Sequence, residues 1–365
     1  KRQATVKHWT RQLGSSSNDT GRGVVVDSSN NIYVTGFTAG GLDGYTNLGE
    51  QDIFLVKYNS SGTKQWTRQL GTSRSDIAHG VAVHSTSSIY VTGETRGGLD
   101  NYTNSGDKDI FLVKFNAANG AREWTRQLGT DKEDVGYGVA LDSNGNIFVT
   151  GSTSASLDSQ TYSGNSDIFL VKYDDNGTKH WTKQLGTTSQ DVAYGLTVVS
   201  NDNSTQDIYL TGYTKGNPWN VTGNPDNETN SGNTDAFLLK YYDNSTLGPY
   251  LHWTVLLGTS SAEVGRSVTV DASNNLYLTG DNSSTSGDYD AFLTRYSSSG
   301  NDPSNTPTWD INMKTSSGEY GYGVVVNSDS HIYAVGNTGG ELDNNTNSGL
   351  QDVFIFKYNS SGTKQ

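Results

Sequence analysis

Apolar residues along the chain come in short alternating bursts separated by polar turns. The stretch from Asp52 to Gly71 shows the unit. The apolar run Asp-Ile-Phe-Leu-Val-Lys-Tyr is followed by a turn rich in Asn, Ser and Gly, and then by a second strand-like run that ends in Gly. Such a pair reads as a β-hairpin. Close copies stand at Asp109 to Gly129 and Asp167 to Gly186, a copy with an insertion at Asp235 to Gly258, and a partial copy at Asp352 to Gln365. Trp9, Trp66, Trp124, Trp181, Trp253 and Trp309 mark six copies of a unit of about 57 residues, a period that belongs to propeller or solenoid repeats.

Each copy offers four strands and no helical period. In the second copy they are Gly80 to Val83, Ser88 to Gly93, Asp109 to Phe115 and Glu123 to Gly129. Four antiparallel strands per repeat predict a propeller blade. Length alone suggests two or three domains, but repeats can build one closed body, so residues 1–365 are expected to form a single domain. The chain opens with a fourth-type strand, Lys7 to Gly14, and its last copy supplies Gly323 to Val326, His331 to Gly336 and Asp352 to Tyr358. The expected fold is therefore an all-β six-bladed propeller of four-stranded antiparallel blades, its ring closed by the N-terminal strand completing the sixth blade.

The second copy reads Gly-Val-Ala-Val-x-Ser-x-x-x-Ile-Tyr-Val-Thr-Gly over Gly80 to Gly93. Gly97-Gly98-Leu99-Asp100, Thr103-Asn104-Ser105-Gly106 and Asp109-Ile-Phe-Leu-Val-Lys follow it. Together these resemble the SBBP β-propeller repeat and, distantly, NHL-type blades. The family's name refers to seven blades, whereas this chain supplies six. The resemblance implies a secreted or envelope context in a bacterium or archaeon and carries no catalytic residues to transfer.

Composition changes the picture in a few respects. Only 32% of residues are hydrophobic, with 43 Gly and 5 Pro, which short strands joined by polar turns explain. A formal charge of -13 argues against nucleic acid or an anionic membrane as partner, since either needs a basic surface. No apolar run is long enough to span a membrane, and the first residues carry no apolar signal segment, which suggests a processed chain or an excised domain. The absence of Cys removes disulfides and thiolate metal sites. Eleven Asn-x-Ser/Thr sequons, among them Asn59, Asn101, Asn176, Asn220 and Asn244, make a glycoprotein conceivable, although so much Asn, Ser and Thr gives nearly as many by chance.

Candidate chemistry is sparse. An acidic residue precedes each first strand: Asp19, Asp76, Asp134, Asp191, Glu263 and Glu319. A second series, Asp52, Asp109, Asp167, Asp235, Asp290 and Asp352, opens each third strand. Rings of oxygen ligands could hold Ca²⁺, but Asp at a strand entry more often accepts backbone N–H bonds, so a structural use is favoured and no cofactor is required. One position between the first series and the strand varies: Arg22, His79, Tyr137, Tyr194, Arg266 and Tyr322. These residues are expected at the mouth of the central channel, where they could hold a sugar or an anion or simply form a packed rim. The fourth repeat is about 15 residues longer than the others, with inserts at Ser200 to Gln206, Lys215 to Asn230 and Asp243 to Leu251. Trp219 within them is a candidate binding anchor. A repeated Leu-Asp pair (Leu42, Leu99, Leu157, Leu342) is expected to tuck the long loop onto its blade. Arg11, Arg68, Arg126 and Lys183 on the fourth strand suit an exposed edge guarded by charge.

No metal-spaced His pair and no Gly-x-Ser-x-Gly elbow occurs. The turn Asp175 to Thr178 resembles the Asp box of sialidases, with a Gly-to-Trp spacing one residue too long. The expected function is a non-enzymatic extracellular or envelope module for interaction or structure. Its expected partner is a protein or glycan at the cell surface, or further copies of itself. A carbohydrate-binding or carbohydrate-active propeller is the alternative.

Overall fold

The computed structural model describes residues 9–84, 87–201, 205–217, 219, 230, 232–244, 248–283, 288–297, 307–343 and 345–365. The fold is an all-β six-bladed propeller. Blade one comprises Asp19–Val26, Ile32–Thr38, Asp52–Tyr58 and Lys64–Leu70, hydrogen-bonded in that order. Blade two comprises Asp76–His84, Ser88–Thr95, Asp109–Asn116 and Arg122–Leu128, and blade three Asp134–Leu141, Ile147–Thr153, Asp167–Tyr173 and Lys179–Leu185. Blade four comprises Asp191–Ser200, Thr205–Thr214, Asp235–Asn244 and Gly248–Leu257, and blade five Glu263–Val270, Leu276–Ser283, Tyr289–Tyr296 and Trp309–Met313. Blade six has three strands among the described residues, Glu319–Val326, Ile332–Thr338 and Asp352–Tyr358. The N-terminal strand expected to complete it includes Lys7 and His8, outside the described residues, and residues 9–14 lie in no strand.

The chain divides into two compact units. The first is Lys1–Leu141 with Gly145–Val149 and Lys172–His180; the second is Asp142–Asn144 with Thr150–Val171 and Trp181–Gln365. Within each, neighbouring blades meet along their first strands. The apolar alternation of the sequence fills the space between blades. In the first unit Tyr33, Ile53 and Leu55 of blade one pack with Ile89, Val91, Phe111 and Val113 of blade two. In the second, Tyr277 and Leu293 of blade five pack with Ala334, Phe354 and Phe356 of blade six.

Two sequence readings change. The first strands begin about four residues earlier than their apolar runs, so the acidic residues open the strands instead of preceding them. The fourth-strand arginines are also more than edge guards. Arg68 donates from Nε to the carbonyl of Gly120 in the next blade's hairpin turn at 2.9 Å, and Arg126 does the same to Gly177 at 2.7 Å. Each guanidinium lies over the tryptophan of its own strand, 5.4 Å from the Trp66 ring and 5.0 Å from that of Trp124.

The tryptophans complete this joint. Gly120 has φ +70°, and a Cβ there would stand 2.9 Å from the Trp66 ring, so the turn needs glycine both for its backbone and for the indole. The Trp124 indole donates to the Asp175 carbonyl at 3.1 Å, and Trp309 to that of Ser360 at 3.2 Å. Trp9 makes the same bond to Ser60. The Leu-Asp loops behave as expected: Leu42, Leu99, Leu157 and Leu342 are buried. The backbone N–H of Leu42, Leu99 and Leu157 is held by the side chain of Gln69, Gln127 and Gln184.

Candidate functional site

The variable position of the repeat coincides with a break in strand pairing. In blade one Gly21 pairs with Gly36 and Gly23 with Thr35, so Arg22 falls out of register. The residues skipped in the same way in blades two, four, five and six are His79, Tyr194, Arg266 and Tyr322. Tyr137 holds the matching place in the first strand of blade three. Each skip is a β-bulge, which sharpens the local twist and re-aims a side chain. A repeated glycine on the second strand permits it: a Cβ on Gly93 would stand 1.9 Å from the Ile77 carbonyl oxygen.

Because neighbouring blades meet along their first strands, successive bulge residues touch. In the first unit the His79 and Tyr137 rings lie 5.0 Å apart. In the second, the Arg266 guanidinium lies 5.1 Å from the Tyr194 ring and 6.0 Å from that of Tyr322. The sequence-predicted series is thus brought together within each unit.

The sequence reading missed the residues behind this series. The position after the Gly of the second strand also varies (Phe37, Glu94, Ser152, Tyr213, Asp281, Asn337), and in five blades its side chain approaches the bulge residue. Arg22 lies 5.7 Å over the Phe37 ring. Tyr194 and Tyr213 lie 6.0 Å apart. Arg266 donates to Asp281 from Nε at 2.8 Å and from Nη2 at 3.4 Å. Asn337 Nδ2 is 3.5 Å from the Tyr322 hydroxyl. The available signal was a second variable column directly after the Gly that all six second strands share, within a Thr-Gly-x-Thr frame that blades one to four keep.

Glu94 and Asp281 are buried here, while Arg22 is exposed. Burial pushes the His79 imidazole down to about 3, and the cations Arg22 and Lys108 push the same way. His79 is therefore neutral near pH 7, and its 4.0 Å approach to Glu94 is not an ion pair. Burial raises the Glu94 carboxyl, partly offset by Lys108, whose ammonium stands 3.5 Å away. Burial likewise raises Asp281 against the opposing pull of Arg266.

The acidic series does something different in this structure. Asp76 accepts from the Thr72 amide at 2.6 Å and hydroxyl at 2.9 Å, and also from Thr95. Asp134 and Asp191 hold Thr130 and Thr187 in the same way. Asp19 holds Ser15, Glu263 holds Thr259, and Glu319 holds Thr315 and Thr338. Each acid fastens the turn that precedes its own strand. The third-strand series ties the long loop: Asp52, Asp109 and Asp167 accept from the amides of Leu48, Ser105 and Ser163, each at 2.9 Å. No group of three His, Asp or Glu side chains suited to a metal occurs among the described residues.

Trp219 folds onto its own blade. Its ring meets Phe237 edge-on at 5.6 Å and is half-buried. Most of the insert around it, residues 218 and 220–229, lies outside the described residues. A polar depression of about 600 Å³ lies elsewhere, on the loops of blade two, lined by Thr72, Arg74, Arg96 and Asn104.

The family model described as the SBBP β-propeller repeat matches residues 8–43, 65–100 and 123–158. Among curated proteins, the chain is 25% identical over 277 residues to an uncharacterized WD repeat-containing protein of Acanthamoeba polyphaga mimivirus, covering 61% of this chain and 20% of that one. It is 27% identical over 195 residues to the regulatory protein FlaEY of Caulobacter vibrioides, covering 48% and 20%. The chain spans about a fifth of the length of these relatives. Two solved structures of an ulvan lyase, a polysaccharide lyase, one of them bound to a saccharide, match 97% of this chain and 83% of theirs. Their TM-scores are 0.53 and 0.54, at 10% and 11% identity. At that identity the likeness concerns the fold.

Proposed function

For a chain that carries SBBP-type β-propeller repeats, we propose a non-enzymatic interaction module of an extracellular or envelope assembly in a bacterium or archaeon, with the bulge column as its recognition surface. The carrying observation is the contrast between fixed and variable positions. The carboxylates that open the first strands each accept hydrogen bonds from the turn before them, whereas the residues that differ between blades stand on bulges that turn them out of the ladder. A binding surface needs variation and exposure; a scaffold needs repetition. The partner in this reading is a surface glycan, a protein or another copy of the chain.

The test is depletion of the chain from solution by bacterial envelope preparations, comparing the natural sequence with Arg22→Ala combined with Tyr137→Ala. Loss of depletion with an unchanged melting temperature supports the reading. Retention equal to the natural chain removes it.

A further inference from the structure

We propose that the bulge column of blades five and six forms a subsite for an uncharged pyranose glycan, with Tyr322 as the stacking face and Arg266 as the hydroxyl donor. This rests on reading the bulge column as a recognition surface and names the ligand class for one part of it. Tyr322, on the bulge between Gly321 and Gly323, is 51% exposed. Its ring runs nearly parallel to that of Tyr320, at 11° and 6.4 Å, and Tyr320 stacks on Tyr289 at 5.2 Å. Asn337 stands at its hydroxyl, 3.5 Å away, and is itself fixed to Gln351 at 3.0 Å. A flat, half-exposed ring held from several sides presents an apolar face with a polar tip at small entropic cost.

Arg266 supplies the directional part. Its guanidinium is bound along the Nε–Nη2 edge by Asp281, whose side chain is 2% exposed, while its own side chain remains 29% exposed. Tyr194 covers it at 5.1 Å. The side-on pairing leaves Nη1 with no acceptor among the hydrogen bonds of the described residues. A planar donor with one edge anchored and its side chain 29% exposed can offer its free edge to a hydroxyl acceptor at a fixed angle.

Charge decides between sugars. Arg266 and Asp281 together are neutral, so the subsite offers no net positive charge to a uronate or sulfate. The whole chain carries -13, a field that repels acidic polysaccharides. A neutral pyranose needs neither: its C–H face lies on Tyr322 and a ring hydroxyl accepts from Nη1.

The experiment titrates the full chain by calorimetry with cellohexaose, mannohexaose and chitohexaose, and with polygalacturonate as the acidic comparison. Binding of at least one neutral hexasaccharide is expected, weakened tenfold or more by Tyr322→Ala. Because Arg266→Ala would strand the buried Asp281, the second variant is Arg266→Gln with Asp281→Asn, which removes both charges together and is expected to weaken the same sugar. The proposal is overturned if no neutral probe binds, if binding survives Tyr322→Ala, or if polygalacturonate binds more tightly. None of these results touches the Arg22 and Tyr137 depletion test, so the two readings fail separately.

Discussion

The guanidinium of Arg68 donates to the carbonyl of Gly120 at 2.9 Å from a position over the Trp66 ring, 5.4 Å from its centroid. Strand four of one blade thereby grips the hairpin turn of the next. The grip recurs between Arg126 and Gly177 at 2.7 Å, and Arg11 donates to Gly62 in the same manner. The Arg and Trp of the repeat are two parts of one joint, an indole laid on a glycine turn and a cation fixing its carbonyl.

Removing the indole should weaken that joint. Trp66→Ala is expected to cost about 3 kcal/mol, near the lower end for an aromatic truncation because the ring is only partly buried. Thermal or urea unfolding measures this. Gly120→Val should be at least as harmful, since it combines a β-branched side chain at φ +70° with a clash against the indole. A variant Trp66→Ala that melts with the natural chain would mean that the joint contributes nothing.

The neutral state of His79 gives the acid side of the stability curve a definite sign. Its folded pKa lies at about 3 against an ordinary 6.5, through burial first and then Arg22 and Lys108. The unfolded chain therefore binds the proton more readily, and stability contributed above pH 6.5 is lost as the pH falls toward 3. His79→Gln should flatten that part of the curve, as read from melting temperatures between pH 7 and 4. Glu94 faces the same imidazole, and its raised carboxyl contributes the opposite slope, so the comparison must be between the two variants at each pH. Parallel curves would remove His79 as the source.

Much of this was legible in the residues. Six tryptophans at a spacing of about 57 residues, widened only across the fourth repeat, period-two apolar runs and the Leu-Asp pair each report a local preference, and local preferences carry blade count, strand order and loop docking. The bulge was not legible, because a skipped residue leaves the alternation on either side intact and shows only in the pairing of Gly21 and Gly23 with their partners. Nor were Asp281 and Asn337, whose role depends on what the neighbouring strand places opposite them. The role of Arg68 was hidden for the same reason: its acceptor is a backbone carbonyl of another blade, and a carbonyl has no signature in a sequence.

The paired acids of adjacent blades lead to a test involving calcium. Burial raises the Asp76 carboxyl, hydrogen bonds from Thr95 and Thr72 counteract this, and the Asp52 charge adds to the rise. Stability from this group is present below pH 3.8 and is lost as the pH climbs through its raised value. Asp52→Asn keeps an oxygen for the Leu48 amide and removes the repulsion, so it should leave the melting temperature at pH 7 equal or higher. EDTA should leave it unchanged. A rise of several degrees with millimolar calcium, abolished by Asp52→Asn, would instead place a cation between the two carboxylates.

Trp219 offers a separate discrimination. Its ring lies edge-on to Phe237, a buried residue of blade four, so Trp219→Ala should lower the melting temperature by a few degrees and leave envelope retention unaltered. Retention lost with the melting temperature unchanged would make the ring an anchor for a partner.

The account turns on where a partner touches the molecule, and tyrosine footprinting by mass spectrometry reads that directly. Tyr322, Tyr45, Tyr102 and Tyr250 are 51%, 38%, 39% and 43% exposed, so all four report with comparable sensitivity. With the chain bound to envelope preparations, the account predicts protection at Tyr322 and at Tyr137, with Tyr45, Tyr102 and Tyr250 labelled as in the free chain. Protection confined to Tyr45 and Tyr102 on the long loops, or to Tyr250 on the outer strand of blade four, would contradict it.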